Sequence, residues 1–338
     1  VHYLVTGHTG FKGAWLTLWL SSRGHRVSGL ALDPLPGALY ETARVAELVA
    51  NDYRIDIRDA AATKRVVADS GADVVLHLAA QPLVRESYRA PRETIETNVI
   101  GTLNMLEAVA AAETVKAHLV ITTDKVYRNV DQAEGYVESD SLGGHDPYSA
   151  SKAMADLLTQ SWVASFPGAP TAIARAGNVI GGGDVSPDRL LPDLLTSFAR
   201  GTPALIRYPD AVRPWQHVLD CLAGYLELTD RLLAGGGAGA WNFGPGRESF
   251  VPVRTIADLA AESWGEGASW TGDGSEHPHE ANLLALNASK AELELGWHNR
   301  LPFPASLDWT VQWQRRVNDG ADVRAVTLEQ IAAFEALA

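Results

Sequence analysis

Tyr148 and Lys152 stand four residues apart in the run Tyr148-Ser149-Ala150-Ser151-Lys152. On a helix, positions i and i+4 share one face, so a phenol and an ammonium would be neighbours there. The cation favours the phenolate and equips Tyr148 to act as a base near neutral pH. Thr123 lies 25 residues earlier, at the end of an apolar run, and offers a hydroxyl to a reacting alcohol. Asp124 and Lys125 follow it directly.

A second group of residues is built for a phosphate. Thr6-Gly7-His8-Thr9-Gly10-Phe11-Lys12-Gly13 follows a short apolar run and precedes a stretch of helical periodicity. Gly7 permits a tight turn, Gly10 lets backbone approach a pyrophosphate, and Gly13 lets helix pack on strand. The helix start presents its positive end to the phosphates. Asp33 comes 20 residues past Gly13, where a carboxylate hydrogen-bonds ribose hydroxyls and repels a 2′-phosphate. NAD is therefore the expected cofactor. Asp56 and Ile57, after a third strand signal, are either adenine contacts or a plain strand end.

The elements that must position these residues follow from periodicity. Strands are expected at His2–Val5, Val27–Leu32, Val74–Leu78, His118–Thr122 and Ala172–Ala174. Helices are expected at Phe11–Arg23, Thr97–Ala112, Ser149–Phe166 and Ala321–Ala338. Strand and helix alternate as βαβ units, which implies an α/β fold with a Rossmann-type, doubly wound parallel sheet. After Asn178 the texture changes. Glycine runs at 181–183 and 235–237, with Pro192, Pro203, Pro209 and Pro214, break the rhythm, and tryptophan becomes frequent. The expected division is a dinucleotide-binding domain over 1–178, joined by a returning segment near 210–244. A smaller lobe over 179–338 is expected to bind mainly substrate.

Composition sets bounds. The chain has 338 residues, 28 Lys and Arg against 41 Asp and Glu, and a formal charge of −13. Such an acidic protein is a poor fit to duplex nucleic acid or to an anionic membrane surface. Its single cysteine, Cys221, excludes an intrachain disulfide and a cysteine-based zinc site. No metal is expected, no apolar run is long enough to span a membrane, and no signal peptide is recognised at the start. A cytoplasmic location is the expectation.

The triad Thr123, Tyr148 and Lys152, downstream of the glycine fingerprint, resembles the extended short-chain dehydrogenase/reductases. Leu78-Ala79-Ala80-Gln81 and Asn98 match that group's cofactor and helix-bend motifs. Within it, the chain is similar to the nucleotide-sugar 4,6-dehydratases. Those generally carry Thr-Asp-Glu at this point, whereas Thr123-Asp124-Lys125 resembles the CDP-glucose branch. Matching blocks run over nearly the whole chain, among them Arg175 to Asp184, Arg213 to Val218, Trp241 to Pro245 and His277 to Ala281. Arg128 departs from the pattern, where a small acidic residue is expected.

The resemblance implies dehydration of a nucleotide-linked hexose, with CDP-glucose favoured. A hydride leaves C4 for NAD while Tyr148 takes the 4-hydroxyl proton. Lys125, kept neutral by burial and by Lys152, takes the C5 proton; otherwise it forms only a salt bridge. Asp124 gives a proton to the leaving 6-hydroxyl, and the hydride returns at C6. A 4-epimerase, or a dehydratase of a GDP-, UDP- or dTDP-hexose, is the alternative. The diphosphate needs cations, and Arg213, Arg189 and Arg175 are the candidates. Gln81, Asn178, Asn242 and His279 are further substrate candidates, the two asparagines being alternatively turn caps. Relatives pair the helices near 97–112 and 149–166 across a two-fold axis, so a homodimer or homotetramer is expected.

Overall fold

The computed structural model describes residues 1–132, 134–273 and 284–337. Twelve strands are present among them: β1 His2–Thr6, β2 Arg26–Ala31, β3 Asn51–Arg54, β4 Val74–His77, β5 Ala117–Ile121 and β6 Thr171–Ala176 in the first half. The second half adds β7 Asn178–Ile180, β8 Ala204–Ile206, β9 Val212–His217, β10 Gly239–Phe243, β11 Phe250–Pro252 and β12 Trp270–Gly272. Seven of these form one sheet in the order β10-β6-β5-β4-β1-β2-β3, every pair parallel. The expected doubly wound α/β sheet is therefore present. The order of winding switches between β1 and β4, which opens a crevice for a ligand at the strand ends. Tyr3 of β1 pairs with Val74 of β4 and with Val27 of β2, which fixes the register there.

β1, β4 and β5 are buried on both faces and read as continuous apolar runs, as central parallel strands must. One face carries the first helix, Phe11–Ser22, together with the helix Val218–Leu233. The first helix is buried on nearly every side from Gly13 to Leu20, because the C-terminal helix Val323–Glu335 covers its outer flank. Trp19 donates its indole N–H to Glu335 at 2.8 Å, and its ring meets Phe334 edge-on. The C-terminal helix thus belongs to the packing of the first half. The opposite face is covered by the helices Ala60–Ser70 and Gly101–Ala110.

Two small sheets, β11-β9-β7 and β12-β8, build the second lobe around its own core of Leu191, Leu194, Phe198, Trp215, Ile256 and Leu307. Strand β10 comes from the second half of the chain and closes the edge of the main sheet beside β6. The helix expected at 97–112 is not continuous. Residues Glu96–Ile100 form a π segment between the helices Pro91–Ile95 and Gly101–Ala110. The widened turn carries the buried Asn98, and π bulges of this kind mark functional positions in helices. No helix among the described residues is long and apolar enough to cross a membrane, and no metal-binding cluster of His, Cys, Asp and Glu occurs among them.

Candidate active site

The glycine loop leaves β1 and enters the first helix without a side chain in the way. Gly7 adopts φ +70°, and a Cβ there would lie 2.9 Å from the Ala79 nitrogen. At Gly13 a Cβ would lie 2.1 Å from the Gly7 carbonyl oxygen. Gly10 caps the helix start with no side-chain acceptor and is exposed. A side-chain-free turn at a helix N-terminus fits a dinucleotide pyrophosphate. Thr9 ties the loop to the end of β2 by donating its hydroxyl to the Leu32 carbonyl at 3.1 Å. The wall opposite is Leu78-Ala79-Ala80, anchored where the Ala79 N–H meets the Thr6 hydroxyl at 3.0 Å.

His8 is a pin that sequence reasoning missed. Its ring occupies the space above Gly29 and meets Asp52 at 2.9 Å. The Tyr40 hydroxyl donates to the same carboxylate at 2.6 Å. Burial keeps the His8 ring toward its neutral form, against the pull of Asp52.

Other expected cofactor residues fall in three ways. Asp33 is exposed just past β2, free to face a ribose. The Asp56 carboxylate is gripped by the Arg58 guanidinium at 2.6 Å, which holds it below its ordinary range. Ile57 turns its side chain into the core against Gly101. Asn98 accepts from the Gln81 N–H at 2.8 Å and donates to the Ser151 hydroxyl at 2.8 Å. It therefore ties the β4 loop to the helix carrying Tyr148. Phe11 lies against Gly181, where the second lobe begins.

That helix, Pro147–Ser165, starts because Asp146 caps it and Pro147 takes the first position. The start places Tyr148 in the first turn and Lys152 one turn on, both buried. The Lys152 ammonium donates to the Ile121 carbonyl at 2.9 Å, at the end of β5. Burial, with the charge of Lys12 beside it, pushes Lys152 down to about 7. The expectation had placed Lys125 as the neighbouring cation; the structure puts Lys12 there. Lys12 is itself held by the Tyr225 hydroxyl at 3.2 Å.

Tyr148 also differs from expectation. Burial pushes its phenol up to about 12, while the Arg189 charge and the Thr123 hydroxyl pull it down. Desolvation of a phenolate outweighs the cations around it. Arg189 thus lies near enough for its charge to act on Tyr148, and it also donates to the Pro82 carbonyl at 3.3 Å.

The segment after β5 turns through the short helix Asp124–Val126, capped by Thr123. The Thr123 hydroxyl donates to Asp124 at 2.8 Å. The other Asp124 oxygen lies against Gly177, where any Cβ would be 3.2 Å away. Asp124 is 3% exposed, and burial raises its carboxyl despite the nearby charges of Lys125 and Arg213. A carboxyl in that state keeps its proton more readily than one in water, as a general acid must. Lys125 is half-buried beside it. Thr123, Asp124, Tyr148 and Arg213 thus converge at the open end of the sheet.

Two substrate candidates are corrected. Arg175 is fully buried and forks onto Asp156 with two bonds of 2.8 Å. A third donor goes to the Tyr127 hydroxyl at 2.7 Å, so the guanidinium is committed inside the protein. Asn242 is likewise buried, accepting from Tyr127 and donating to the Tyr136 carbonyl, both at 2.8 Å. Gln81 is half-buried and bonds to Leu83 and Thr94. Asn178 is half-buried opposite Trp215, and Arg213 donates to the Val212 carbonyl at 2.9 Å. Arg128 is exposed, its side chain outside the buried acid site. His277 and His279 lie outside the described residues.

The comparisons agree with this geometry. Residues 3–244 match the model of the NAD dependent epimerase/dehydratase family. The chain is 43% identical to a CDP-glucose 4,6-dehydratase of Salmonella typhimurium, over 98% of this chain and 95% of that protein. It is 31% identical to a dTDP-glucose 4,6-dehydratase of Xanthomonas campestris, over 92% of each. Among solved structures it resembles the dTDP-glucose 4,6-dehydratase DesIV of Streptomyces venezuelae, which was crystallised with NAD. The TM-score is 0.81 at 26% identity, covering 94% of this chain and 97% of DesIV. A glycine loop without side chains, a buried Tyr-Lys pair and a family match over most of the length converge on one statement: the chain belongs to the NAD dependent epimerase/dehydratase family.

Proposed function

We propose that this protein is a nucleotide-sugar 4,6-dehydratase acting on CDP-glucose. The observation that carries the reading is Asp124, a buried carboxyl bonded to Thr123 and followed by Lys125, at the mouth of a dinucleotide crevice. A 4-epimerase needs the Tyr-Lys pair but has no use for an acid and an amine at this point. The 43% identity to a CDP-glucose 4,6-dehydratase supports the choice of base and sugar.

Bound NAD would supply the hydride chemistry, as acceptor for C4 and donor to C6. Tyr148 takes the proton of the 4-hydroxyl as its own phenol proton passes toward Lys152, whose amine burial holds at about 7, with Thr123 orienting that hydroxyl. The 4-ketone acidifies the C5 proton, which Lys125 removes. Asp124 delivers its proton to the departing 6-hydroxyl, so it leaves as water rather than as hydroxide. Arg189 and Arg213 are the cations for the diphosphate, and Asn178 is a partner for phosphate or sugar. Gly7, Gly10 and Gly13 would hold the NAD pyrophosphate, and Asp33 would receive the ribose hydroxyls.

We also propose a homo-oligomer, dimer or tetramer, formed through the helices on one flank. Ile95, Ile100, Met154, Leu157 and Val163 are exposed apolar side chains on the bent helix and on the Tyr148 helix. Unpartnered apolar stripes on two adjacent helices suit a two-fold helical interface.

The test is a panel of CDP-, dTDP-, UDP- and GDP-hexoses, with products read by mass. CDP-[4-²H]glucose should give a product lighter by one water with deuterium on its methyl group. A galactose-configured product of unchanged mass would overturn the dehydratase reading.

A further inference from the structure

The catalytic groups come from two separate pieces of chain. Thr123, Asp124 and Lys125 sit on the segment after β5, and Tyr148 and Lys152 sit on the helix Pro147–Ser165. Chemistry at C4, C5 and C6 of one ring demands that these pieces hold a fixed register, since misplacement near 1 Å costs about a hundredfold in rate.

One buried ion pair touches both pieces. Asp156 follows Lys152 by one helical turn, on the same face. Arg175, from β6, forks onto its carboxylate, and neither side chain is exposed. The pair then reaches the two ends of the catalytic segment. The Thr122 hydroxyl donates to Asp156 at 3.1 Å, and Arg175 donates to the Tyr127 hydroxyl at 2.7 Å. Arg175 also lies over the Tyr127 ring, 5.0 Å from its centre. Thr122 and Tyr127 bracket Thr123–Val126, so the segment is tethered on either side. Lys152 adds a third stitch through the Ile121 carbonyl.

Stability alone does not call for this arrangement. Two charges lose their hydration when buried, and apolar residues of similar volume stabilise a core as well or better. We propose that Asp156 and Arg175 are positioning residues: the ion pair sets the acid-and-lysine segment in register with the Tyr148–Lys152 helix. The rate readout of this inference rests on the proposed dehydration; its ionisation readout does not.

The groups facing Lys152 are Lys12 from the first helix, His77 from β4, and Tyr148 and Asp156 from its own helix. The Asp156 charge favours the ammonium, while burial and Lys12 oppose it. Losing one member of the pair therefore has opposite signs: Asp156→Asn leaves a bare guanidinium near Lys152, and Arg175→Met leaves a bare carboxylate.

The test uses the full chain with Asp156→Asn, Arg175→Met and the double apolar variant Asp156→Leu/Arg175→Met. Lys152 ionisation is read by competitive labelling with acetic anhydride across pH, followed by peptide mass spectrometry. The midpoint should fall in Asp156→Asn and rise in Arg175→Met, each by about one pH unit. Global damage would not split the two in sign. The double variant should melt near the parent temperature, with kcat on CDP-glucose at least tenfold lower and KM within about twofold.

Midpoints that move together or stay fixed overturn the proposal. So does a double variant that melts like the parent and keeps kcat within twofold. Should a single variant fail to fold, Arg175→Lys keeps the charge but loses the fork. It should leave the midpoint in place and lower kcat, and an unchanged kcat counts against the proposal. If the parent dehydrates no nucleotide sugar, the proposed function fails, and the labelling arm still decides this inference.

Discussion

Replacing Asp124 with Asn separates what the buried acid does for chemistry from what it costs the fold. The amide keeps the size of the side chain and an oxygen to accept from Thr123 at the 2.8 Å site. It cannot ionise. In the unfolded chain Asp124 titrates near its ordinary 3.8, and burial raises it in the folded protein. Between those two values the unfolded chain releases a proton that the folded chain retains. Stability therefore falls as pH rises through that window, and the loss is complete once pH passes the folded value. One proton's difference amounts to about 1.4 kcal/mol per pH unit at most. Asp124→Asn removes that slope and should be more stable than the parent at neutral pH. Asp220, whose carboxyl burial lifts to about 7, contributes with the same sign in both proteins, so the difference between them isolates Asp124. The assay is urea unfolding at several pH values from 4 to 8. In parallel, turnover of CDP-glucose should fall about 10²- to 10⁴-fold, the usual worth of a general acid. C4 oxidation should survive, visible as NADH absorbance on adding substrate. A variant less stable than the parent at neutral pH, with the pH slope unchanged, would refute the reading of Asp124 as a buried acid.

Two further outcomes follow from the same geometry. Lys125→Met should abolish exchange of the C5 proton with solvent and formation of the 6-deoxy product, and normal product formation would remove Lys125 from the chemistry. Gly13→Ala places a Cβ 2.1 Å from the Gly7 carbonyl oxygen. The first helix must retreat by about 1 Å, so the purified variant should lose most of its NAD and melt several degrees lower; parent-like NAD content would show that the loop tolerates the shift.

Much of the fold was legible because central parallel strands and their covering helices leave strong local patterns. β1, β4 and β5 are continuous apolar runs, and the helix expected from Ser149 is present, starting two residues earlier because Asp146 caps it and Pro147 takes its first position. The π segment around Asn98 was not legible, since its apolar spacing is that of an ordinary helix. Nor was the placement of the C-terminal helix on the first helix, a contact over some three hundred residues made by Trp19 and Glu335. The role of Asp156 had a signal: an acid one turn beyond Lys152, on a helix face that must be buried, requires a cation.

Local chemistry was written in residue type and spacing: a glycine turn that admits a pyrophosphate, a phenol and an amine on one helical face, an acid beside a threonine. Spacing is a short-range property, and short-range geometry follows from backbone dihedrals alone. Which charge faces which was decided only when distant strands came together. Arg175 turned inward to Asp156 rather than outward to a phosphate, Lys12 rather than Lys125 came to lie beside Lys152, and burial lifted the Tyr148 phenol that its lysine was expected to lower. Desolvation depends on everything packed around a group, and no segment of sequence carries that information by itself.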